Sequence, residues 1–578
     1  MKKIDATQLA RDSYKDYSLY VMETRALPSV YDGLKTVQRR ILFVADQYPK
    51  KLTKTANMEG SVMKYHPHGG ASFTTMAYPD NNIPIFVTKG NWGSRKMGIS
   101  AAASRYTELY MSDIARFMYT QFIDDAEFIE GEIGHLEPRA LPALLPYGLL
   151  EGSQGIGVGL SSKIVPLNVM DLIDYYIDYI QNGYSDRLVR PEFGASILLM
   201  TENEVKSNVN KYKGSFRVKP IIRKESKNIF VIDELHEMSI DTLLKKVSKY
   251  LDNESVDFID ESTAVPRYVF KVYDDKVLDQ FEKDLNRFTT KKVTYTRVMI
   301  DNKTAVYSSL EYVVEKSLEY LNSVLDTRLD RLLKSYTTQL EIYLAISDLK
   351  NSKYLSKLPT YDNNKLINEL LNTYNYNKDI WNKVLQKPIS YLTKSHDSEL
   401  EDLRLKINEL KSHNRSEYLI NLYQQLKLML TESYNSKIHT VLEGELLSNP
   451  RIKLEGNKLV VNGNRRTSKN IEFDGEVLIV TADGSICPRT LSKSLRAEFS
   501  LDNLLSEQVS VGITSPLYEA VELLTNDSKS VIVETSQVKY DRRYCKLSDD
   551  QKIVAVKSYK ELPDELRWKV RKRISKPM

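Results

Sequence analysis

The chain has 578 residues, too many for one hydrophobic core, so several domains are expected. Its 82 Lys and Arg against 77 Asp and Glu give a net charge of +5, which excludes a strongly acidic chain and leaves nucleic-acid binding to local basic surface. The two cysteines, Cys487 and Cys545, exclude a disulfide framework and a zinc-ligand set, and the lack of a bilayer-length apolar run or signal-like start predicts a soluble cytoplasmic protein with no membrane partner.

Residues 1–27 read as a short helical arm, with Leu9, Tyr17, Tyr20 and Val21 in partial helical spacing. From Pro28 a Pro and Gly turn leads into a helix reaching about Gln47, with Val37, Ile41, Leu42 and Val44 on one face. Arg39 and Arg40 fall on the other side, where the pattern predicts guanidinium groups aimed outward at phosphates. Residues 28–149 then concentrate the chemistry. Asp32-Gly-Leu-Lys35 opens a run of cations, Lys64-Tyr-His-Pro-His-Gly69 supplies two imidazoles, and Ala101-Ala-Ala-Ser-Arg-Tyr106 sets a phenol beside Arg105. A tyrosine nucleophile among Arg, His and Lys suits attack on a phosphodiester, because cations stabilise the extra negative charge of the transition state. The chain holds 37 tyrosines, so the setting, not the residue type, singles out Tyr106. The glycines of Gly152-Ser-Gln-Gly-Ile-Gly-Val-Gly159 match neither a phosphate loop nor a dinucleotide fingerprint, and close backbone packing accounts for them better.

Residues 150–305 change character: 216–222, 229–232 and 268–273 look like strands, and Ser239 to about Leu251 like a helix. Within 306–445, Leu310, Val314, Leu318, Leu321, Leu325, Leu329 and Leu332 recur at steps of three or four, the helical period. Continued to Tyr343, that stripe spans roughly 50 Å at about 1.5 Å per residue and needs a partner helix. The candidate partner is 398–431, and a helical insert at about 346–395, with Leu366, Leu370, Ile380, Trp381 and Val384, lies between the two. Residues 446–578 read as a β-rich piece with a basic tail from Arg567 to Lys576.

Arg25-Ala-Leu-Pro28, Asp32-Gly-Leu-Lys35, Tyr65-His-Pro-His-Gly69, Gly90-Asn-Trp-Gly-Ser94, Ala102-Ala-Ser-Arg-Tyr106 and Gly152–Gly159 followed by Ile164-Val-Pro166 occur in that order. Together they resemble the DNA-cleavage subunit of type IIA topoisomerases, the class of gyrase A, topoisomerase IV A and the phage medium subunit. The resemblance implies a multidomain α/β fold: a winged-helix cleavage domain at 28–149, an α/β tower domain at 150–305, a long antiparallel coiled coil with a helical exit gate at 306–445, and a small β-rich domain at 446–578. It implies that Tyr106 attacks a backbone phosphorus to give a 5′-phosphotyrosyl link, that Arg105 stabilises the developing charge, and that His68 assists proton transfer or hydrogen bonds the scissile phosphate. Arg25, Lys35, Arg39, Arg40 and His66 would line the DNA path, and Ile164 would wedge between base pairs.

No Asp-x-Asp pair occurs in the chain, so the resemblance places no metal site here. A partner ATPase/TOPRIM subunit would hold Mg²⁺ and bind ATP, and two copies of each would form a heterotetramer on double-stranded DNA. The absence of a gyrase-box pattern points away from DNA wrapping and toward relaxation and decatenation. Gly70, Ala71 and Gln38 depart from the bacterial pattern, which leans toward a phage-type or divergent enzyme, acting at the nucleoid or in a host cytoplasm. A non-catalytic architectural DNA binder on the same frame is the alternative, and a tyrosine recombinase, joined instead to the 3′ phosphate, is a third.

Overall fold

The computed structural model describes residues 6–442 apart from 70–71, 264, 356–362, 413, 436 and 438; between 452 and 559 it describes only strands and Lys552. Gly70, Ala71 and the basic tail therefore lie outside the described residues. The chain divides into two compact units, one formed by Met1–Glu192, Asn203–Ser215 and Thr294–Asn435, the other by Phe193–Glu202, Phe216–Val293 and Ser436–Met578. Among the described residues, no helix is long and apolar enough to cross a membrane.

The first unit begins with helix α1 (Ala6–Val21), which leaves Leu9, Tyr14, Tyr17 and Leu19 exposed. Helix α2 (Thr36–Asp46) starts where the Lys35 backbone N–H donates to Gln38 Oε1 at 3.0 Å, and it buries Ile41, Leu42, Val44 and Ala45. Helix α3 (Thr55–Val62) follows strand β1 (Thr53–Lys54). Strands β2 (Phe86–Lys89) and β3 (Glu108–Met111) complete an antiparallel sheet of order β1-β3-β2, in which Glu108 lies opposite both Lys54 and Lys89. Two hairpins follow, β4 (Phe128–Glu130) with β5 (Leu136–Pro138), and β6 (Ser153–Ile156) with β7 (Ser161–Ile164).

The long periodic stretch is one helix, Leu310–Lys350, started by Ser309, whose hydroxyl accepts from the Tyr312 N–H at 3.0 Å. It is clamped to the segment ahead of β4 by Asp125, a fully buried carboxylate that accepts from Arg331 Nε at 2.5 Å and Nη2 at 2.9 Å. Arg331 first, then Arg328, hold the Asp125 carboxyl below its usual range against the opposing effect of burial. The expected return arm is not continuous. It consists of Asp397–Lys411, which packs on the long helix, and Arg415–Asn435, which packs on helix Val169–Asn182. The insert closes its own core around Trp381, Leu366, Leu370, Ile380 and Val384 against Ala345, Ile346 and Leu349 of the long helix.

In the second unit, strands Ile222–Ser226, Ile229–Ile232, Tyr268–Val272 and Val256–Asp260 pair antiparallel in that order. Helices Ile240–Leu251 and Asp275–Thr289 cover the sheet, burying Leu243, Val247, Phe281 and Leu285 against Phe230 and Phe270. Ser239 caps the first of these helices, as its sequence position predicts. Strands at Ile452–Glu455, Lys458–Val461, Gly475–Thr481, Ser530–Glu534 and Ile553–Tyr559 fall in the stretch that reads as β-rich.

Asp284 joins the two covering helices. Its buried carboxylate accepts from Tyr250 Oη at 2.7 Å and Lys249 Nζ at 2.9 Å, and the Tyr250 bond first, then Lys249, hold it down at about 2. Asp284→Asn is expected to cost about 1.5 kcal/mol in denaturant unfolding at neutral pH. Because the folded carboxyl titrates below the unfolded one, this stabilisation is complete above about pH 4 and is lost as pH falls toward 2. A wild-type minus mutant difference that stays flat across that window would exclude this origin.

Candidate active site

The Asp32-Gly33 turn organises the site. The Asp32 side chain is fully buried and accepts from the Leu34 N–H at 3.0 Å, the Leu141 N–H at 2.9 Å, and Arg39 Nε and Nη2 at 2.7 and 3.0 Å. Backbone bonds from Tyr147 N–H to Asp32 O, 2.8 Å, and from Gly148 N–H to Gly33 O, 3.0 Å, lay this turn on the segment ahead of β6. Gly33 is required there: its φ is +67°, and a Cβ would stand 2.6 Å from the backbone nitrogens of Tyr147 and Gly148. Lys35 is drawn onto the β6–β7 hairpin, its ammonium donating to Gln154 O at 2.7 Å, and burial pushes its pKa down.

Arg39 and Arg40 do not project outward as the helical pattern predicts. The Arg39 side chain is 11 % exposed in its fork with Asp32, and the Arg40 side chain is 3 % exposed, bidentate on Glu137 at 2.6 and 2.8 Å. Each guanidinium is held inward by a buried carboxylate that would be left uncompensated without it, a pairing across the fold that a one-face reading of the helix does not register.

The structure brings Arg25, Arg40, His66 and His68 together. Arg40 Nη1 donates to His66 Nδ1 at 2.9 Å, and Arg25 Nη2 donates to His68 Nδ1 at 2.6 Å. A guanidinium has no acceptor, so each Nδ1 is the unprotonated nitrogen and each Nε2 carries the hydrogen. Burial, then the Arg40 charge, push the His66 pKa down. His68 Nε2 lies 2.5 Å from Tyr20 Oη and 2.6 Å from Glu132 Oε2. Both nitrogens of His68 are thus engaged, with Nε2 presented as a hydrogen-bond donor.

Tyr106 and Arg105 form a separate pair on the turn into β3. The Tyr106 ring is 64 % exposed, Arg105 Cζ lies 4.8 Å from its centroid, and the phenol hydroxyl makes no hydrogen bond among the described residues. The turn itself is held tightly. Ala56 N–H donates to Ser104 O at 3.3 Å, Thr55 N–H to Thr107 O at 3.1 Å, and Thr107 Oγ1 to Thr55 Oγ1 at 2.9 Å. Gly90, with φ +100°, lets the chain pass so close to Tyr106 that a Cβ would stand 2.9 Å from Tyr106 O. Asp80 ties down the adjoining loop, accepting from Ser94 Oγ at 2.7 Å and from the Lys96 N–H at 2.9 Å. No hydrogen bond, ion pair or ring contact links Tyr106 to the His68 cluster among the described residues.

Ile164 is 3 % exposed, paired opposite Ser153, so its side chain is packed inside and not presented as a wedge. The exposed apolar side chain of that hairpin is Ile156, at 79 %. Of the predicted close-packed glycines, a Cβ on Gly155 would overlap Ala26 O and one on Gly152 would stand 2.9 Å from Ile164 O, whereas a Cβ on Gly159 would meet nothing within 4 Å. Sequence reasoning missed Tyr20, Glu132 and Glu137. Their partners lie tens of residues away, and no local spacing marks them.

The family model for the A subunits of DNA gyrase and topoisomerase IV matches residues 25–429. The topoisomerase 4 A protein of Haemophilus influenzae is 26% identical over 424 residues, covering 67% of this chain and 56% of that protein. The gyrase A protein of Buchnera aphidicola is 28% identical over 496 residues, covering 77% of this chain and 58% of that protein. The topoisomerase 4 A protein of Escherichia coli is 27% identical over 361 residues, covering 57% and 48%. The chain thus spans about half the length of the curated relatives it matches.

Asp32→Asn removes the counter-charge of Arg39 while keeping the side chain's shape. It is expected to cost about 3 kcal/mol in denaturant unfolding, the magnitude of breaking a buried ion pair from one side. A loss below about 0.5 kcal/mol, the size of a surface change, would show that the turn does not depend on this charge.

Proposed function

The chain belongs to the family of DNA gyrase and topoisomerase IV A subunits, and from that premise we propose that it is the DNA breakage-reunion subunit of an ATP-dependent type II topoisomerase. The observation that carries this reading is the exposed Tyr106 phenol, stacked against Arg105 on a turn pinned to α3 and Gly90. A nucleophile must reach its phosphorus from a fixed direction, and a rigid backbone under an exposed side chain meets that need.

Tyr106 Oη attacks a backbone phosphorus, the bond from phosphorus to the 3′ oxygen breaks, and a 5′-phosphotyrosyl ester forms. The phenol proton passes to solvent, and the released 3′ oxygen takes up a proton. Reversal restores the strand without fuel, because the ester keeps the bond energy. Arg105 stabilises charge on the attacked phosphate, and His68, held by Arg25, donates a hydrogen bond to a phosphate oxygen.

Among the described residues, no group of three or more His, Cys, Asp and Glu is placed to hold a metal, and Glu132 and Glu137 are spent on His68, Tyr20 and Arg40. By the family resemblance we assign Mg²⁺ and ATP to an ATPase/TOPRIM partner subunit. Two copies of this chain place two tyrosines on opposite strands, and the heterotetramer passes one duplex through the other to relax and decatenate DNA. The winged-helix, tower and exit-gate roles are supported in turn by α2, α3 and the β1-β3-β2 sheet, by the module 216–293, and by helix Leu310–Lys350 with its insert.

Tyr106→Phe is expected to bind duplex DNA like the wild type yet leave no protein-linked DNA on denaturing gels with partner and Mg²⁺ present. Arg105→Ala should lower the cleavage rate by about 100-fold. Adducts persisting in Tyr106→Phe would rule out this nucleophile, a blocked 3′ end would indicate recombinase chemistry, and a wild type that forms no adduct would leave the architectural alternative.

A further inference from the structure

The turn between β4 and β5 carries Glu132, whose carboxylate is surrounded by donors. Tyr20 Oη donates to Oε2 at 2.6 Å, His68 Nε2 donates to the same oxygen at 2.6 Å, and Arg40 Nη2 donates to Oε1 at 3.0 Å. Arg25 braces the far side of the His68 ring. Two non-bridging oxygens of a phosphodiester offer the same donors what two carboxylate oxygens do: a delocalised negative charge on paired acceptors.

Glu132 can leave this seat without opening a core. Its side chain is 22 % exposed, and Ile133, Gly134, His135 and Leu136 beyond it on the turn are exposed. The seat keeps its form when Glu132 departs, because Arg40 stays forked on the buried Glu137 and His68 stays on Arg25. Burial opposes ionisation of Glu132, but the bonds from Tyr20, His68 and Arg40 outweigh it and hold the carboxyl below its usual range.

We propose that Glu132 is an internal surrogate for a DNA phosphate: in the DNA-free protein its carboxylate fills the anion seat of Tyr20, His68 and Arg40, and a backbone phosphate of duplex DNA displaces it. The proposal rests on the DNA-binding reading above. Binding then exchanges one anion for another, so this seat discriminates against weakly held DNA and adds little to the salt dependence of binding.

The test measures binding of a short fluorescent duplex by anisotropy across a salt series, using the full chain with Tyr106→Phe so that cleavage does not intervene. Glu132→Gln keeps the shape and removes the charge. It is expected to bind about fivefold tighter at moderate salt, the low end of couplings of this kind. Its plot of log affinity against log salt should steepen by about 0.9, the contribution of one phosphate. Glu132→Asp retains the charge and should stay near the parent affinity and slope, with thermal unfolding of both variants confirming the fold. Glu132→Gln binding equally or more weakly at unchanged slope overturns the proposal and makes Glu132 a brace for His68 and Arg40. If the parent protein binds no duplex DNA at all, the wider functional reading fails as well, an outcome distinct from the first.

Discussion

The region around the candidate site depends on one buried charge. Asp32 has no solvent contact, and its carboxylate oxygens are shared among two backbone N–H groups and the Arg39 fork. Leu34 belongs to the turn before α2, Leu141 to the segment after β5, and Arg39 to α2 itself, so one side chain sets the distances among three pieces of chain. Gly33 adds the backbone contact to Tyr147 and Gly148 that only a residue without a Cβ allows. The positions of Lys35, of α2 and of everything α2 carries follow from that turn.

The surrounding electrostatics are largely internal. Arg40 is neutralised by Glu137 and Glu132, Arg39 by Asp32, and the Lys35 ammonium is used on Gln154 O. Arg25 is used on the His68 ring. Donors fixed in this way by partners are preorganised and need no reordering to hold an anion. Tyr106 stands apart from the network, exposed and beside Arg105 on a short turn, while Arg40, His66, His68 and Glu132 are held together on α2, the turn after α3 and the β4–β5 hairpin.

The long helix Leu310–Lys350 extends this rigidity outward. Its Arg328 and Arg331 close on buried Asp125, and Tyr320 Oη donates to Ala140 O at 2.8 Å, close to Leu141 on the Asp32 network. At its far end the insert packs around Trp381, so one continuous helix joins the region of the candidate site to a second core.

Local chemistry was legible in the residue order. The periodic leucines set the long helix, Ser239 set a helix start, and short apolar runs set strands of the second unit, because each depends on neighbours a few positions away. The break in the return arm, the burial of Arg39 and Arg40, and the enlistment of Tyr20, Glu132 and Glu137 were not legible. Arg40 meets Glu137 across 97 residues and Tyr20 meets Glu132 across 112, and a side chain's fate as free cation or buried ion-pair partner is decided by which distant carboxylate folding brings to it. Spacing along the chain therefore determined the helices and local turns, and tertiary packing alone decided which charges are buried in pairs, because desolvation and pairing act through space and not along the sequence.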